Sequence, residues 1–161
     1  LIDSQEKLKQ LDYSKYKNWV GQEYFPGKNN EYTCALIKLN DFEQVLIMKR
    51  KLHTLGYTYF AEVTMNKRLK LALLKFAKKI DLHGCINVQL KIIKNRYRVF
   101  DINTRLSSTV LMRNAIGFKD CVWWIKSFLN IKFKKNIKFK KNVFLIKEFA
   151  ERVLKRNNNL K

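Results

Sequence analysis

The chain has 161 residues, 47% of them hydrophobic and 13% aromatic, and its 34 lysines and arginines against 13 acidic residues give a formal net charge of +21. That length fits one compact domain with a short appendage, and that apolar content can bury a core, which excludes a disordered chain. Five glycines and a single proline, Pro26, argue against a loop-rich or repeat architecture.

The positive excess by itself suits a polyanion such as nucleic acid. It is carried mostly by lysine and travels with asparagine and isoleucine, as a genome-wide compositional bias would produce. Solvated lysines on every face are the favoured account of it, so nucleic acid is the less favoured partner. Cys34, Cys85 and Cys121 are widely spaced in apolar contexts, as buried thiols of a reducing cytoplasm are. There is no CxxC pair, and His53 and His83 share no ligand spacing, so zinc is not expected. No apolar run approaches the roughly 18 residues of a membrane span, and no signal peptide is seen. The chain opens at Leu1 rather than Met, which reads as a fragment or processed product.

In chain order, residues 4–10 predict a helix with Ser4 as N-cap, and 19–25 (WVGQEYF) a strand ending at the Pro26-Gly27 turn. Two strands, 31–39 and 44–51, should pair antiparallel across a polar turn. Residues 56–62 are irregular or extended. Asn66 can cap a helix whose apolar positions Leu69, Leu73, Phe76, Ala77 and Ile80 recur at helical spacing, with Gly84 ending it. A hairpin follows, 86–93 and 97–103, turning at 94–96. Ser108 is a candidate cap for a short helix closed by Gly117, and 120–129 reads as another helix. The duplicated IKFKKNIKFKKN suits an amphipathic hairpin or a lysine-protected edge strand. The segment beyond it, VFLIKEFAERVLKR, predicts a helix whose first half could be strand. The whole reads as α+β, an antiparallel sheet with helices packed on one face.

The hairpin carries the chemistry. A turn at 94–96 pairs residues whose numbers sum to about 190, so Gln89 faces a position close to Asp101. Alternation puts Val99, Asp101 and Asn103 on one face, with Phe100 and Ile102 toward the core. A hard cation takes oxygen ligands, usually one or two carboxylates with phosphate oxygens and water. Asp101 supplies charge, while Asn103 and Gln89 supply neutral oxygens, and Arg105 just beyond can grip a phosphoryl group. On spacing alone, a merely solvated polar face accounts for the same residues.

Gln89, then DINTR at Asp101–Arg105 and a small-residue turn, resembles the C-terminal half of the ATP-grasp fold, closest to carboxylate–amine ligases like the carbamoyl-phosphate synthase large chain. Upstream, 20–37 (VGQEYFPGKNNEYTCALI) resembles that family's hinge strand, and 50–63 its basic strand and following loop. The resemblance covers about residues 18–128. It implies the C-terminal subdomain of an ATP-grasp enzyme, an ATP- and Mg²⁺-dependent ligase, with Mn²⁺ an alternative ion, that activates a small carboxylate as an acyl-phosphate for attack by an amine. It further implies that Gln89, Asp101 and Asn103 serve the metal, and that Glu23, Tyr24 and Phe25 sit at the adenine with Glu31 on the ribose hydroxyls. Arg105 and Arg50 would contact phosphate or substrate. Asp101 stands where that group usually has Glu, and Thr104 where it has Pro. The implied organisation is a linker from a first subdomain at 1–17, the ATP-grasp subdomain at 18–130 and a basic extension at 131–161. The first grasp half would lie in the same or another chain, leaving this one inactive alone. Two other readings stay open, a basic polyanion-binding module and a degenerate, non-catalytic grasp half.

Overall fold

A computed structural model describes residues 2–27 and 30–148. Its order is α1 (Gln5–Lys9), β1 (Glu31–Leu39), β2 (Phe42–Leu52), β3 (Thr58–Thr64), α2 (Lys67–Lys79), β4 (Gly84–Ile93), β5 (Arg96–Asn103), α3 (Val110–Ala115), α4 (Asp120–Phe128) and β6 (Phe144–Ile146). The strands form one six-stranded sheet in the order β5-β4-β1-β2-β3-β6. Every neighbouring pair in it is antiparallel.

The sheet is covered on both faces rather than one, because its central strands are apolar at consecutive positions. Thr33 through Ile37 of β1 are all buried, the pattern of a strand with no solvated side. On one face Cys34, Leu36, Val45, Ile47, Ile86 and Val88 meet Leu69, Leu73 and Ala77 of α2. Each leucine buried there contributes about 1.5–3 kcal/mol. Asn66 starts α2 as foreseen, its side-chain oxygen accepting from the Leu69 N–H at 2.8 Å. Ile80 falls outside that stripe and is exposed, and Gly84 opens β4 rather than ending the helix. On the other face Ala35, Ile37, Leu46, Met48 and Val63 meet Met112 and Ile116 near α3, Phe118, and Trp123 of α4.

The duplicated segment forms neither hairpin nor strand over 131–143. It lays Phe133, Ile137 and Phe139 on this second core, which consumes its alternation without a strand partner. The segment beyond begins as strand, β6, and residues 149–161 lie outside the described residues. The expected strand at 19–25 is likewise irregular backbone.

One ion pair ties the second layer together. Arg113 donates to Asp120 Oδ2 at 2.7 Å with both side chains nearly inaccessible, at 1% and 2% exposure. The guanidinium also donates to the hydroxyls of Ser107 at 2.6 Å and Thr109 at 2.8 Å. It thereby fixes the turn before α3, where no N-cap side chain closes the helix and Ser108 is exposed. Burial raises the Asp120 carboxyl above the usual carboxylate range, and Arg113 opposes that shift. Replacing Asp120 by Asn leaves the Arg113 charge buried and uncompensated, at an expected cost of about 3–5 kcal/mol in urea unfolding. An Arg113→Met, Asp120→Leu double variant should recover most of that loss.

Candidate functional site

The face that packs on α4 changes character along its length. In β1 it runs from Leu39, Ile37 and Ala35 to Thr33 and Glu31, in β2 from Leu46 and Met48 to Arg50, and in β4 from Cys85 to Asn87 and Gln89. The apolar half is covered by α4 and the 133–145 segment, and the polar half gathers the candidate residues at the other end.

Arg50 is the hub of that polar half. Its Nε and Nη2 donate to Glu31 Oε1 at 2.9 and 2.5 Å, and Nη2 donates to Gln89 Oε1 at 2.5 Å. The side chains of Arg50 and Glu31 are only 9% and 13% exposed, so the pair is shielded from bulk water. Beneath them, the Thr33 hydroxyl donates to Asn87 Oδ1 at 2.8 Å, and the buried Asn87 Nδ2 has no partner among the described residues. One guanidinium thus joins β1, β2 and β4 around a polar floor.

β5 supplies the rest in the expected register, Gln89 opposite Asp101 and Asn87 opposite Asn103. The hairpin turns at Lys94 and Asn95, both at positive φ (47° and 58°), the backbone of a two-residue type I′ turn. Asn103 Nδ2 donates to Asp101 Oδ2. That bond uses one carboxylate oxygen and the amide nitrogen, leaving Asp101 Oδ1 and Asn103 Oδ1 as acceptors. Alternation fails one step earlier. A register shift opposes Leu90 to Val99 and leaves Phe100 as the extra residue, so Val99 turns to the opposite face from Asp101. Ile102, expected in the core, is 44% exposed because β5 is an edge strand.

Lys91, next in this file of β4 residues, was not singled out by sequence. Its ammonium donates to the carbonyls of Phe25 at 2.5 Å and Gly27 at 2.9 Å, anchoring the irregular 18–27 segment to the sheet. Its only sequence signal is parity with Gln89. Arg98, paired with Lys91, lies over the Phe25 ring at 5.9 Å. A cleft of about 230 Å³ opens there, lined by Gln22, Glu23, Tyr24, Phe25, Glu31, Lys91 and Phe100. Four candidate residues, Glu23, Tyr24, Phe25 and Glu31, therefore share one cleft, and Glu31 links it to the Arg50 cluster. Arg105 is not drawn in. It is exposed on the loop after β5, with Nη1 donating to the Leu106 carbonyl at 3.3 Å, and lines neither cleft beside Phe25.

The donor set fits one hard cation that takes its remaining ligands from phosphate and water: a single carboxylate with one amide oxygen beside it. It does not suit a metal held by protein alone, since among the described residues no cluster of three or more His, Cys, Asp or Glu is placed to do so. Nor, among the described residues, is any helix long and apolar enough to cross a membrane.

Residues 15–150 match the family described as ATP-grasp in the biosynthetic pathway with Ter operon. No curated protein matches the chain in sequence. Among solved structures, phosphoribosylglycinamide synthetase from Anaerococcus prevotii is similar with a TM-score of 0.62 at 12% identity, over 88% of this chain and 40% of that one. The phosphoribosylaminoimidazole carboxylase ATPase subunit from Aquifex aeolicus gives 0.58 at 12% identity, over 71% and 37%. N5-carboxyaminoimidazole synthetase from Staphylococcus aureus, complexed with ADP, gives 0.55 at 14% identity, over 73% and 34%. The chain thus spans only 34–40% of the length of these proteins.

Arg50→Met is expected to destabilise the fold by about 2–5 kcal/mol, because it strands the enclosed Glu31 carboxylate and the Gln89 amide. Urea unfolding of this variant beside Glu31→Gln, Arg50→Met checks it, since the double variant should be the more stable of the two.

Proposed function

The chain belongs to this ATP-grasp family, and we propose that it supplies the nucleotide- and metal-holding half of an ATP-dependent carboxylate–amine ligase. The observation that carries the proposal is the convergence of Glu31, Arg50, Gln89, Asp101 and Asn103 beside the cleft lined by Glu23–Phe25. In this reading the cleft takes the adenosine, with the Tyr24 and Phe25 backbone against the adenine edge. The Phe25 carbonyl is already engaged by Lys91, so base recognition falls to the remaining main-chain groups there. Glu31 gives one oxygen to Arg50 and has its second for a ribose hydroxyl.

Asp101 and Asn103 are the proposed holders of Mg²⁺ or Mn²⁺, and Gln89, whose oxygen is bound by Arg50, orients them across the β4–β5 pair. The ion, when bound, neutralises phosphate charge and so favours phosphoryl transfer to a carboxylate. The resulting acyl-phosphate is the species an amine attacks. Arg50 is held by Glu31 and Gln89 with its charge aimed along the same face, a fixed cation where anionic groups gather. Arg105 stands exposed on the loop after β5, outside the Arg50 cluster, and is the proposed contact for a phosphate of the bound nucleotide. The chain's share of catalysis is positioning and charge neutralisation, and no residue of the cluster needs to act as a base.

Within the family, we assign the chain to the branch resembling the carbamoyl-phosphate synthase large chain, on the strength of DINTR after Gln89. The first grasp half, in the same polypeptide or a partner, completes the site, and the reaction belongs in the cytoplasm with its soluble substrates.

Calorimetry of the full gene product should show ATP binding that strengthens with Mg²⁺. Asp101→Ala and Asn103→Ala should each remove the Mg²⁺-dependent gain, by tenfold or more, while leaving metal-free nucleotide binding in place. Absence of nucleotide binding by the full protein would overturn the ligase reading. ATP binding without turnover on any carboxylate would favour a degenerate half.

A further inference from the structure

The second covered face of the sheet ends in a gap. β3 pairs with β2 only from Ile47 to Leu52, whereas β1 covers the other edge of β2 from Phe42 to Lys49. Among the described residues, 42–46 of β2 therefore present a strand edge with no strand beside it. β3 leaves that edge at Thr64, whose buried hydroxyl has no hydrogen-bond partner among the described residues, and the chain turns into α2.

Along this open edge runs a cavity of about 410 Å³, floored by Gln44–Ile47. One wall is the start of α2 with Lys67 and Lys70, and the other is the duplicated segment with Lys138 and Lys141. No carboxylate lines it, and among the described residues none of these lysines is in an ion pair. The second wall is fastened, since the Lys140 N–H donates to the Ile116 carbonyl at 2.9 Å and Lys135 pairs with Asp41 of the β1–β2 turn.

We propose that this cleft is a docking site for an extended acidic segment of a partner protein, which adds as a short strand to the edge of β2. The unpaired edge offers main-chain donors and acceptors in strand register, which a peptide backbone satisfies and a sugar-phosphate chain does not. Side chains of an added strand alternate toward the two walls, and each wall presents two of these lysines, so glutamate or aspartate suits both directions. A second copy of this chain does not fit, because its net charge of +21 repels a basic cleft. The site is separate from the Arg50 cluster, lying toward the turn between β1 and β2 while Glu31 and Arg50 lie at the far ends of those strands.

The test uses the full chain and a fluorescein-labelled peptide in which pairs of glutamates alternate with pairs of valines or threonines, so that both faces of the added strand carry carboxylates. Its anisotropy titration is compared with that of the same peptide N-methylated at alternate amides, and with a thymidine oligonucleotide of matched charge. The parent peptide should bind, weaken at least tenfold on Lys67→Ala, Lys138→Ala substitution, and weaken at least tenfold on N-methylation. It should also slow amide hydrogen exchange at Val45, whose N–H alternates away from β1 toward the open edge. Equal binding of the N-methylated peptide would overturn strand addition, and tighter binding of the oligonucleotide would overturn a peptide partner. ATP binding by the Lys67→Ala, Lys138→Ala variant should be unchanged, so failure here leaves the ligase reading standing.

Discussion

The bond from Arg50 to both Glu31 and Gln89 is the constraint on which the rest of the site depends. Isolated, each of these groups would lose hydration on enclosure without return, an arginine and a glutamate most of all. Together they close a circuit across β1, β2 and β4 that holds in only one register of those strands. A slip by one residue would turn every partner to the α2 face. The polar cluster therefore locks the alignment that apolar packing at the other end of the same strands selects.

That division of labour explains why one sheet serves as both scaffold and site. The two cores are built from opposite parities of the same strands, with Cys34 and Leu36 on one side and Ala35 and Ile37 on the other. Toward Glu31 one parity remains apolar under Tyr32, Leu90 and Ile92, while the other turns polar. Rigidity comes from the first and chemistry from the second. Members of the cluster stand on strands rather than loops, which suits a site whose contribution is placement.

Much of this was legible in sequence because it is local. The Gln89–Asp101 pairing follows from a tight turn and strict alternation, and the α2 stripe from helical spacing. What escaped depends on contacts remote in sequence. Residues 19–25 have the composition of a strand but join no ladder among the described residues, and Lys91 holds the end of that stretch by the Phe25 carbonyl instead. The alternation of IKFKKNIKFKKN was satisfied by core packing without pairing. The bulge at Phe100 cannot be read from a pattern of alternating residues, since it is where that pattern breaks. Glu31 and Arg50 were each marked for ligand contact, but their bond to one another needs the β1–β2 register to be seen. The family and the ATP-grasp fold, by contrast, were carried by order and spacing of motifs and did not need any of these details.

The Lys91 clamp has a kinetic consequence. The 22–27 stretch is held to the sheet by one ammonium on two carbonyls and by a ring beneath a guanidinium, with little apolar surface buried. Such a segment opens with a small free energy and independently of the cores, as a separate unit of local unfolding. The wall of the cleft can swing away and return while the Arg50 circuit stays closed. Opening and closing of this wall then run on the timescale of local unfolding, microseconds to seconds, independently of the sheet beneath it.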